Sequence, residues 1–413
     1  MSGESFRFIH ASDFHLENPL GDLDELPPPL REAMASAPFD AAEKVFEAAL
    51  SSNIDFVVLT GDLLHPQTAG PYALNFLITQ FEKLAEAKTP VYWAGGKADD
   101  PSNWPEACLM PPNVTLLPRD RIAGLPVTRG GRTICKLVGR SSDGRSSLHI
   151  SGFEQDSADD YTIGVGYGDA SPETLSEAKL NLWCLGGRHN REELARGEDV
   201  EAVYAGTPQG RALSESGAHG YSIVDVDADW NLRVSDMPCD AFRYEMVKLH
   251  AGDIAAVGSI ENLIGERIIR MQHEAAGKHL IIGWEITVES GETLATLGDG
   301  QKLLDWMRRE YGHGSPAAWS TSLRIRPPQK YPKSWNDEDT ILGDYLRIAA
   351  NRRKDEGEIN LLPMTEEHAG LPANTTALLA EVPPSRRVDT LEQATLLGVE
   401  LLRGGKPNWM NGS

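Results

Sequence analysis

The sequence lacks the features that mark membrane-spanning, secreted and ATP-binding proteins. No stretch approaches the roughly 18 apolar residues of a membrane span, and no basic segment followed by an apolar one marks a signal peptide. The chain has 4 cysteines, and none belongs to a Cys-x-x-Cys pair. Thiols this far apart are typical of small buried side chains in a reducing compartment. No Walker A sequence indicates a P-loop nucleotide site. We therefore expect a cytoplasmic protein without membrane contact.

Basic residues are also much fewer than acidic residues. The chain carries 39 lysines and arginines against 61 aspartates and glutamates, which gives a net charge of −22. A protein that holds DNA by itself shows a basic surface, because neutralising phosphates dominates that affinity. The charge therefore disfavours DNA as a partner, although a local basic groove or a basic partner protein would overcome it. The length of 413 residues, with 40% hydrophobic and 24% charged residues, is typical of a globular protein with about two or three domains.

Two residues with metal-binding side chains follow the first predicted strand. The apolar stretch 6–9 predicts a short buried strand, and Asp13 and His15 come shortly after it. Side chains two residues apart share a face at a strand end, so the carboxylate and the imidazole can meet in one pocket. Such a pair supplies half of a metal site. On its own, the pattern also fits a strand that ends in an Asp-containing turn.

A third candidate ligand follows the second predicted strand. The continuous apolar run 56–59 is typical of a strand buried on both faces of an α/β sheet, and it leads into Gly61-Asp62. Ligand sites in such sheets lie at the carboxyl edge, which brings Asp62 to the place where Asp13 and His15 are expected. Two helices and a third strand complete a βαβαβ pattern, at 38–52, 71–88 and 90–94.

A second histidine stands at the end of a later strand. Further strands are predicted at 113–117, 132–138, 147–152, 161–166, 181–185 and 201–205, with a hairpin formed by 220–227 and 231–235. The strand at 181–185 runs into Gly186-Gly187-Arg188-His189.

The chain is predicted to contain an α/β domain, a smaller α+β domain and a C-terminal segment. Their ranges are 1–238, 239–328 and 329–413. The second domain is predicted from strands and helices at 242–249, 252–273, 279–288 and 294–310. A linker begins at Arg324, helices are expected near 337–350 and 388–403, and the tail 404–413 is expected to be disordered.

These motifs resemble those of the calcineurin-like metallophosphoesterases. Asp13-x-His15, Gly61-Asp62 and the Gly-Lys-Ala-Asp at 96–99, where the family has Gly-Asn-His-Asp, carry the resemblance. The start His10-Ala-Ser-Asp-Phe-His-Leu16 and the blocks 204–211 and 215–220 are most similar to the SbcD/YhaO-type DNA repair exonucleases. The resemblance implies an α/β fold: a four-layer α-β-β-α sandwich, then a smaller α+β capping domain and a C-terminal helical segment.

In that family two divalent metals lie close together, and the resemblance implies that only one of the two sites is intact here. The first ion would be held by Asp13, His15, Asp62 and His189. Three ligand positions of the second ion and the histidine that protonates the leaving group are replaced, by Lys97, Tyr167, Gly187 and Ala98. We expect one divalent metal, manganese first, with zinc, iron or magnesium as alternatives, and none if the site is fully decayed.

The replacement by Lys97 leaves two interpretations open. Its ammonium, a compact cation, could occupy the vacated position beside Asp62 and neutralise the carboxylate. The alternative is a lysine that points to solvent, as most lysines do.

Two functions also remain open. One is a weak one-metal phosphodiesterase, by resemblance a DNA exonuclease, in which Asp62 orients the attacking water. The other is an inactive subunit or scaffold of a DNA repair complex. Its partner would be an SbcC/YhaN-like coiled-coil ATPase bound through 337–403, with a contact at Ile341, Leu342, Tyr345 and Leu346. A homodimer stays open as well.

Overall fold

The first sheet is built on the alternation of strands and helices that the sequence predicts. Strands β1 (Phe6–Ala11), β2 (Phe56–Thr60) and β3 (Val91–Ala94) pair in parallel, and helices α1 (Pro28–Ser51) and α2 (Gly70–Glu86) connect them. Every residue of β2 and β3 is buried. This is the burial expected of parallel strands that are covered on both faces.

The computed structural model of the protein describes most of the chain. The described residues are 3–21, 25–51, 53–105, 108–155, 157, 159–196, 199–251, 257–288, 297, 300–326, 333–354, 391, 394–399 and 401–402. Among the described helices, none combines the length and the apolar character that crossing a bilayer requires.

Two six-stranded sheets make up most of the first half of the chain. Their strand orders are β12-β11-β1-β2-β3-β4 and β5-β6-β7-β8-β10-β9. The other elements of this half are β4 (Val114–Leu116), β5 (Ala123–Arg129), β6 (Arg132–Gly139), β7 (Thr162–Tyr167), α3 (Pro172–Ser176), β8 (Leu182–Gly186), β9 (Glu192–Arg196), β10 (Asp199–Tyr204), β11 (Gly220–Val226), β12 (Leu232–Pro238) and a 3-10 turn at Pro101–Asn103.

Alternate residues of the inner strands face two different cores, because side chains alternate across a strand. Ile9 and Val57 pack in the core that includes residues of α1 and α2, whereas Phe8 and Val58 pack in the core shared with the second sheet. On the far side of the second sheet, a further core includes Leu175 of α3. The layers are therefore helix, sheet, sheet and helix, which confirms the predicted α-β-β-α sandwich.

The second half of the chain forms a three-stranded sheet and helices. The sheet order is β13-β14-β15. The elements are β13 (Phe242–His250), α4 (Val257–Glu274), β14 (His279–Thr287), α5 (Gln301–Tyr311), β15 (Ala318–Arg326), a 3-10 segment at Lys333–Asp337 and α6 (Ile341–Lys354). The chain divides into two compact units, one with residues 1–246, 271–283 and 311–321 and one with residues 247–270, 284–310 and 322–413. The domain boundaries at 238 and 328 stay predictions.

Helix α1 begins at Pro28, whereas the sequence predicted a start at residue 38. The Pro-rich stretch before residue 30 is typical of a loop, but proline is also favoured in the first turn of a helix. Leu30 and Met34, in the added turns, are buried in a core with Phe242 and Tyr244. Tertiary packing therefore stabilises a segment whose local sequence predicts no helix.

Other sequence predictions are also corrected. The strand predicted at 147–152 is wrong, because only an isolated bridge joins Ser147 to Asp169 there. The unpredicted strand β5 has one fully buried residue, so its apolar signal is weak. Arg324–Arg326, predicted to open a linker, belong to β15, and the rest of that linker lies outside the described residues.

The predicted contact surface on the C-terminal helix is partly wrong. Leu346 of α6 is fully buried, whereas Ile341 is 76% and Ile348 is 64% exposed. The Tyr345 hydroxyl donates to the Ala394 carbonyl at 2.8 Å, so α6 contacts the helical residues 394–399. The exposed apolar side chains of α6 are therefore Ile341 and Ile348. The tail 404–413 lies outside the described residues.

His10 is a buried histidine in β1. Its Nε2 lies 2.8 Å from Thr60 Oγ1. Burial, helped by the charge of Arg191, lowers the pKa of His10 to about 3. In the unfolded chain the pKa of histidine is about 6.5, so the unfolded chain binds more protons between these two values. The stability linked to neutral His10 is therefore fully present above pH 6.5 and is lost as the pH falls towards 3.

We expect the free energy of unfolding to fall more steeply between pH 6.5 and 5 in the wild type than in His10→Gln, by about 1–2 kcal/mol. Urea unfolding at several pH values, with a chelator present, measures this difference. His149→Gln is the matched control, because His149 is exposed. Equal pH slopes in the wild type and in His10→Gln would contradict the assignment.

Candidate metal site

The loops that follow three strands meet at the edge shared by the two sheets. Asp13 follows β1 and Asp62 follows β2 in the first sheet, and His189 follows β8 in the second. Backbone hydrogen bonds join the first two loops, since the Asp13 N–H donates to Gly61 O at 2.8 Å and the His15 N–H donates to Asp62 O at 2.9 Å. The predicted convergence of these strand ends is therefore present in the fold.

The backbone at these positions is unusual. Asp13, His15 and Asp62 have φ values of 55°, 44° and 52°. These values lie in the left-handed region, which non-glycine residues rarely adopt and which costs about 1–3 kcal/mol for each residue. Three such residues at one site, held by the hydrogen bonds between their loops, indicate a functional constraint rather than a property of any one turn.

Asp13, His15 and His189 form a cluster of the size that one metal ion needs. One ligand atom from each residue lies within 4.8 Å of the others. The Nε2 atoms of His15 and His189 are 3.2 Å apart. The side chain of His15 is 12% exposed and that of His189 is 38% exposed, so the cluster is open to solvent on the His189 side.

The surroundings prepare these side chains for a cation. Burial raises the pKa of Asp13 to about 7, although the hydrogen bond from the Gly187 N–H opposes the shift. Burial, with the charge of Arg211, lowers the pKa of His15 to about 4. His15 is therefore neutral at pH 7, which is the form that binds metals. A nearby cation favours the charged form of a buried carboxylate such as Asp13.

Glu215 orients His189. Its Oε1 lies 2.6 Å from His189 Nδ1, and its Oε2 accepts a hydrogen bond from the Arg211 N–H at 2.7 Å. The hydrogen bond that His189 donates to Glu215 is the main cause that raises the pKa of His189. A carboxylate on one ring nitrogen fixes the tautomer and leaves the other nitrogen for a metal. Sequence reasoning missed this role, because Glu215 stands only within a block of family resemblance and in no metal-binding motif.

Arg211 connects the loop of Asp13 and His15 to the segment after β10. It is 7% exposed, and its guanidinium donates to the carbonyl of Phe14 and, at 2.8 Å, to Thr207 Oγ1. A buried guanidinium that donates to a backbone carbonyl holds that loop in place. Sequence reasoning missed this role too.

Asp62 lies beside the cluster, and both of its oxygens accept hydrogen bonds from the protein. Oδ1 accepts from the Ala98 N–H at 2.7 Å, and Oδ2 accepts from the Tyr167 hydroxyl at 2.5 Å. Its Oδ2 lies 3.8 Å from His15 Nε2. The role of Asp62 as a ligand of the first ion stays a prediction.

Asp99 holds the Asp62 loop in place through hydrogen bonds to its backbone. It matches the Asp of the Gly-Asn-His-Asp motif named above. Its carboxylate accepts from the backbone N–H groups of Asp62 and Leu63, both at 2.9 Å, and from the indole N–H of Trp93 at 3.1 Å. Burial raises the pKa of Asp99, while the backbone hydrogen bonds lower it. The side chain therefore has a structural role in fixing the turn that carries Asp62.

The hypothesis that the Lys97 ammonium lies beside Asp62 is wrong in this structure. Lys97 is exposed, and none of the ion pairs among the described residues joins it to Asp62. The hydrogen-bond donors next to Asp62 are instead the Ala98 N–H and Tyr167, which comes from the other sheet. The lysine stands at the tip of its loop, where its charge remains hydrated at no cost.

The residues present fit one divalent ion and do not fit a second. Two imidazoles and a carboxylate, close together and part-buried, are suitable ligands for manganese, iron or zinc. At the second position, Gly187 has no side chain, Lys97 is exposed, and the Tyr167 hydroxyl already donates to Asp62. Neither an ammonium nor a protonated phenol offers a strong lone pair to a cation.

We expect Glu215→Gln to lower the affinity for Mn²⁺ by about 10- to 100-fold, because it weakens the hydrogen bond that fixes the His189 tautomer. Titration calorimetry of the metal-free protein measures the affinity. Glu177→Gln, at an exposed position after α3, is the control and leaves the affinity unchanged. A Glu215→Gln protein that binds Mn²⁺ as tightly as the wild type would show that His189 is not a ligand.

Comparison with known proteins agrees with this geometry. Residues 6–191, which include all four predicted ligands, match the family model of the calcineurin-like phosphoesterases. Over 239 residues the chain is 28% identical to the uncharacterized metallophosphoesterase YhaO of Bacillus subtilis (strain 168), a match that covers 53% of this chain and 57% of that protein. The match therefore spans little more than half of the relative. Residues 6–191 of this chain are therefore similar in sequence to the calcineurin-like phosphoesterases.

Proposed function

We propose that this chain is a phosphodiesterase that works slowly with one divalent ion, manganese being the first candidate. The observation that carries the proposal is the cluster of Asp13, His15 and His189, whose ligand atoms lie within 4.8 Å of one another in a domain of a metal-dependent phosphoesterase family. An ion held there would polarise a phosphoryl oxygen and make water a better nucleophile.

The residues around the cluster have separate roles in this proposal. Each oxygen of Asp62 accepts one hydrogen bond, and a carboxylate oxygen has two lone pairs. Asp62 therefore keeps the capacity to orient an attacking water. Ala98 stands where the family has the histidine that protonates the leaving group, and losing a general acid costs about 10²- to 10⁴-fold in rate. The substrates that suffer least are esters whose leaving group needs no proton.

The finer proposal, a DNA exonuclease of the SbcD/YhaO type, rests on the sequence resemblance alone. The net charge of −22 opposes it, because DNA binding requires compensation of phosphate charge. We therefore place small phosphodiesters before DNA in the order of substrates to be tested.

With Mn²⁺ present, we expect slow hydrolysis of bis(p-nitrophenyl) phosphate and much slower cleavage of a dinucleotide or linear DNA. The nitrophenolate leaves without protonation, so the loss of the histidine at position 98 matters least for that ester. Turnover is expected to vanish in His189→Gln, to fall in Asp62→Ala, and to persist in His149→Gln.

Release of nitrophenolate and of DNA fragments gives the rates. Equal residual rates in the wild type and in Asp62→Ala would point to a contaminating enzyme and would remove the catalytic proposal. A wild type without any metal-dependent turnover would do the same.

A second candidate function is a scaffold that binds a coiled-coil ATPase. The observation that favours it is the exposure of two isoleucines on α6, with Ile341 76% and Ile348 64% exposed. Apolar side chains that are exposed at helical spacing are suited to contact a partner helix. The hydrogen bonds that Asp62 accepts from Ala98 and Tyr167 are also consistent with a structural role of this side chain.

We expect the full chain to retain an SbcC/YhaN-like ATPase in a pulldown, and the double variant Ile341→Asp with Ile348→Asp to lose it. A charge in the middle of an apolar contact costs more than the contact provides. Ile269→Asp is the matched control, since Ile269 is 60% exposed on α4. Binding that survives the double variant, and also a deletion of 337–403, would contradict the scaffold function.

A further inference from the structure

The ring of Tyr167 lies against three glycine backbones. A Cβ placed on Gly187 would lie 3.1 Å from Tyr167 Cζ, one on Gly96 would lie 2.8 Å from Cε2, and one on Gly61 would lie 2.6 Å from Cδ2. Any side chain at these positions would therefore meet the ring. Two of the three glycines, Gly61 and Gly187, also have positive φ values of 81° and 100°. The loops at the ends of β2, β3 and β8 thus form a slot that an aromatic ring fills.

The hydroxyl of this ring ends on Asp62. Tyr167 is 7% exposed, and its O–H donates to Asp62 Oδ2 at 2.5 Å. A tyrosine phenol is protonated at neutral pH, so it can act as the donor in this hydrogen bond. The other oxygen of Asp62 accepts from the Ala98 N–H. The carboxylate that would bridge two metals therefore has a protein donor on each oxygen.

We propose that Tyr167 takes the place of the second metal ion. Its ring fills the space, and its hydroxyl presents a positive end to Asp62 as a cation would. The two donors hold the Asp62 carboxylate apart from the cluster of Asp13, His15 and His189, which are left as the protein ligands of the first ion. Each Asp62 oxygen keeps a lone pair that can accept from a water. The inference rests on the metal binding of the proposed function and does not depend on catalysis.

The replacements at positions 97, 167 and 187 of the second site then have one common cause, the ring of Tyr167. A histidine at position 187 would place its Cβ 3.1 Å from Cζ of the Tyr167 ring and would need a positive φ, so that ligand would require the ring or the loop to shift. Lys97 is exposed, so no side chain from its loop competes for the slot. Two imidazoles and one carboxylate leave open positions on an ion, which is the arrangement of mononuclear rather than paired metal centres.

The test is Mn²⁺ binding by the full chain, measured by titration calorimetry and by electron paramagnetic resonance. The wild type is expected to bind one ion per chain and to give the spectrum of an isolated ion rather than of a coupled pair. Asp62→Asn should keep that stoichiometry, with an affinity within about threefold of the wild type. Asp13→Asn and His189→Gln should each lose about 100-fold or more, as expected when a ligand itself is removed.

Tyr167→Phe completes the test, because it keeps the ring and removes the donor. Asp62 is then free to reach the first ion, so Asp62→Asn should cost about tenfold in affinity in this background and almost nothing in the wild type. Tyr161→Phe, a buried tyrosine next to the same strand, is the control and leaves the effect of Asp62→Asn small. Thermal unfolding of each metal-free variant confirms that it is folded.

The outcomes separate this inference from the function on which it rests. Two ions per wild-type chain, a coupled-pair spectrum, or an Asp62→Asn variant as weak as Asp13→Asn would overturn the inference and leave a metal-dependent enzyme standing. A wild type that binds no Mn²⁺ at all would overturn the proposed function, and the inference with it.

Discussion

Hydrogen bonds between the strand ends of the two sheets are the constraint on which the site depends. The Tyr167 hydroxyl, at the end of β7, donates to Asp62 after β2, and the Gly187 N–H, after β8, donates at 3.0 Å to Asp13 after β1. Each contact takes a carboxylate from the first sheet and its donor from the second. The positive φ values of both aspartates are kept because these contacts and the hydrogen bonds between the loops outweigh the strain.

On our proposal, the same contacts explain why residues suited to one metal ion are present and those for a second are not. The proposed ligands of the first ion come from the ends of β1 and β8, which the packing of the two sheets brings together. A second ion would need ligands at positions 97, 167 and 187, and the ring of Tyr167 lies against Gly187. On this proposal, a hydrogen bond from the Tyr167 phenol to the Asp62 carboxylate replaces a contact between an ion and that carboxylate, and it forms without a metal. Such a site favours either slow chemistry or a structural role.

The sequence predicts the part of this site that depends on local pattern. An alternating apolar stretch locates β1 and a continuous apolar run locates β2, and the rule that ligands lie at the carboxyl edge of a sheet brings Asp13, His15 and Asp62 together, while the family resemblance adds His189. Local sequence patterns do not predict contacts between distant residues. Asp62 and Tyr167 are separated by 105 residues, and the position of the tyrosine in a glycine slot follows from how the two sheets face each other. The hypothesis for Lys97 was wrong for the same reason, because the charge of a residue and its order along the chain do not show which side chain of a loop points inward. The predicted start of α1 was wrong because its first turns are stabilised by packing against Phe242 and Tyr244, which lie far along the chain.

The most direct measurement is an anomalous difference map from crystals of the full chain soaked in Mn²⁺. A site closed to a second ion by a tyrosine predicts one peak, between Asp13, His15 and His189, with the Tyr167 hydroxyl still on Asp62. Two peaks with Asp62 between them, and Tyr167 displaced from its slot, would contradict the account.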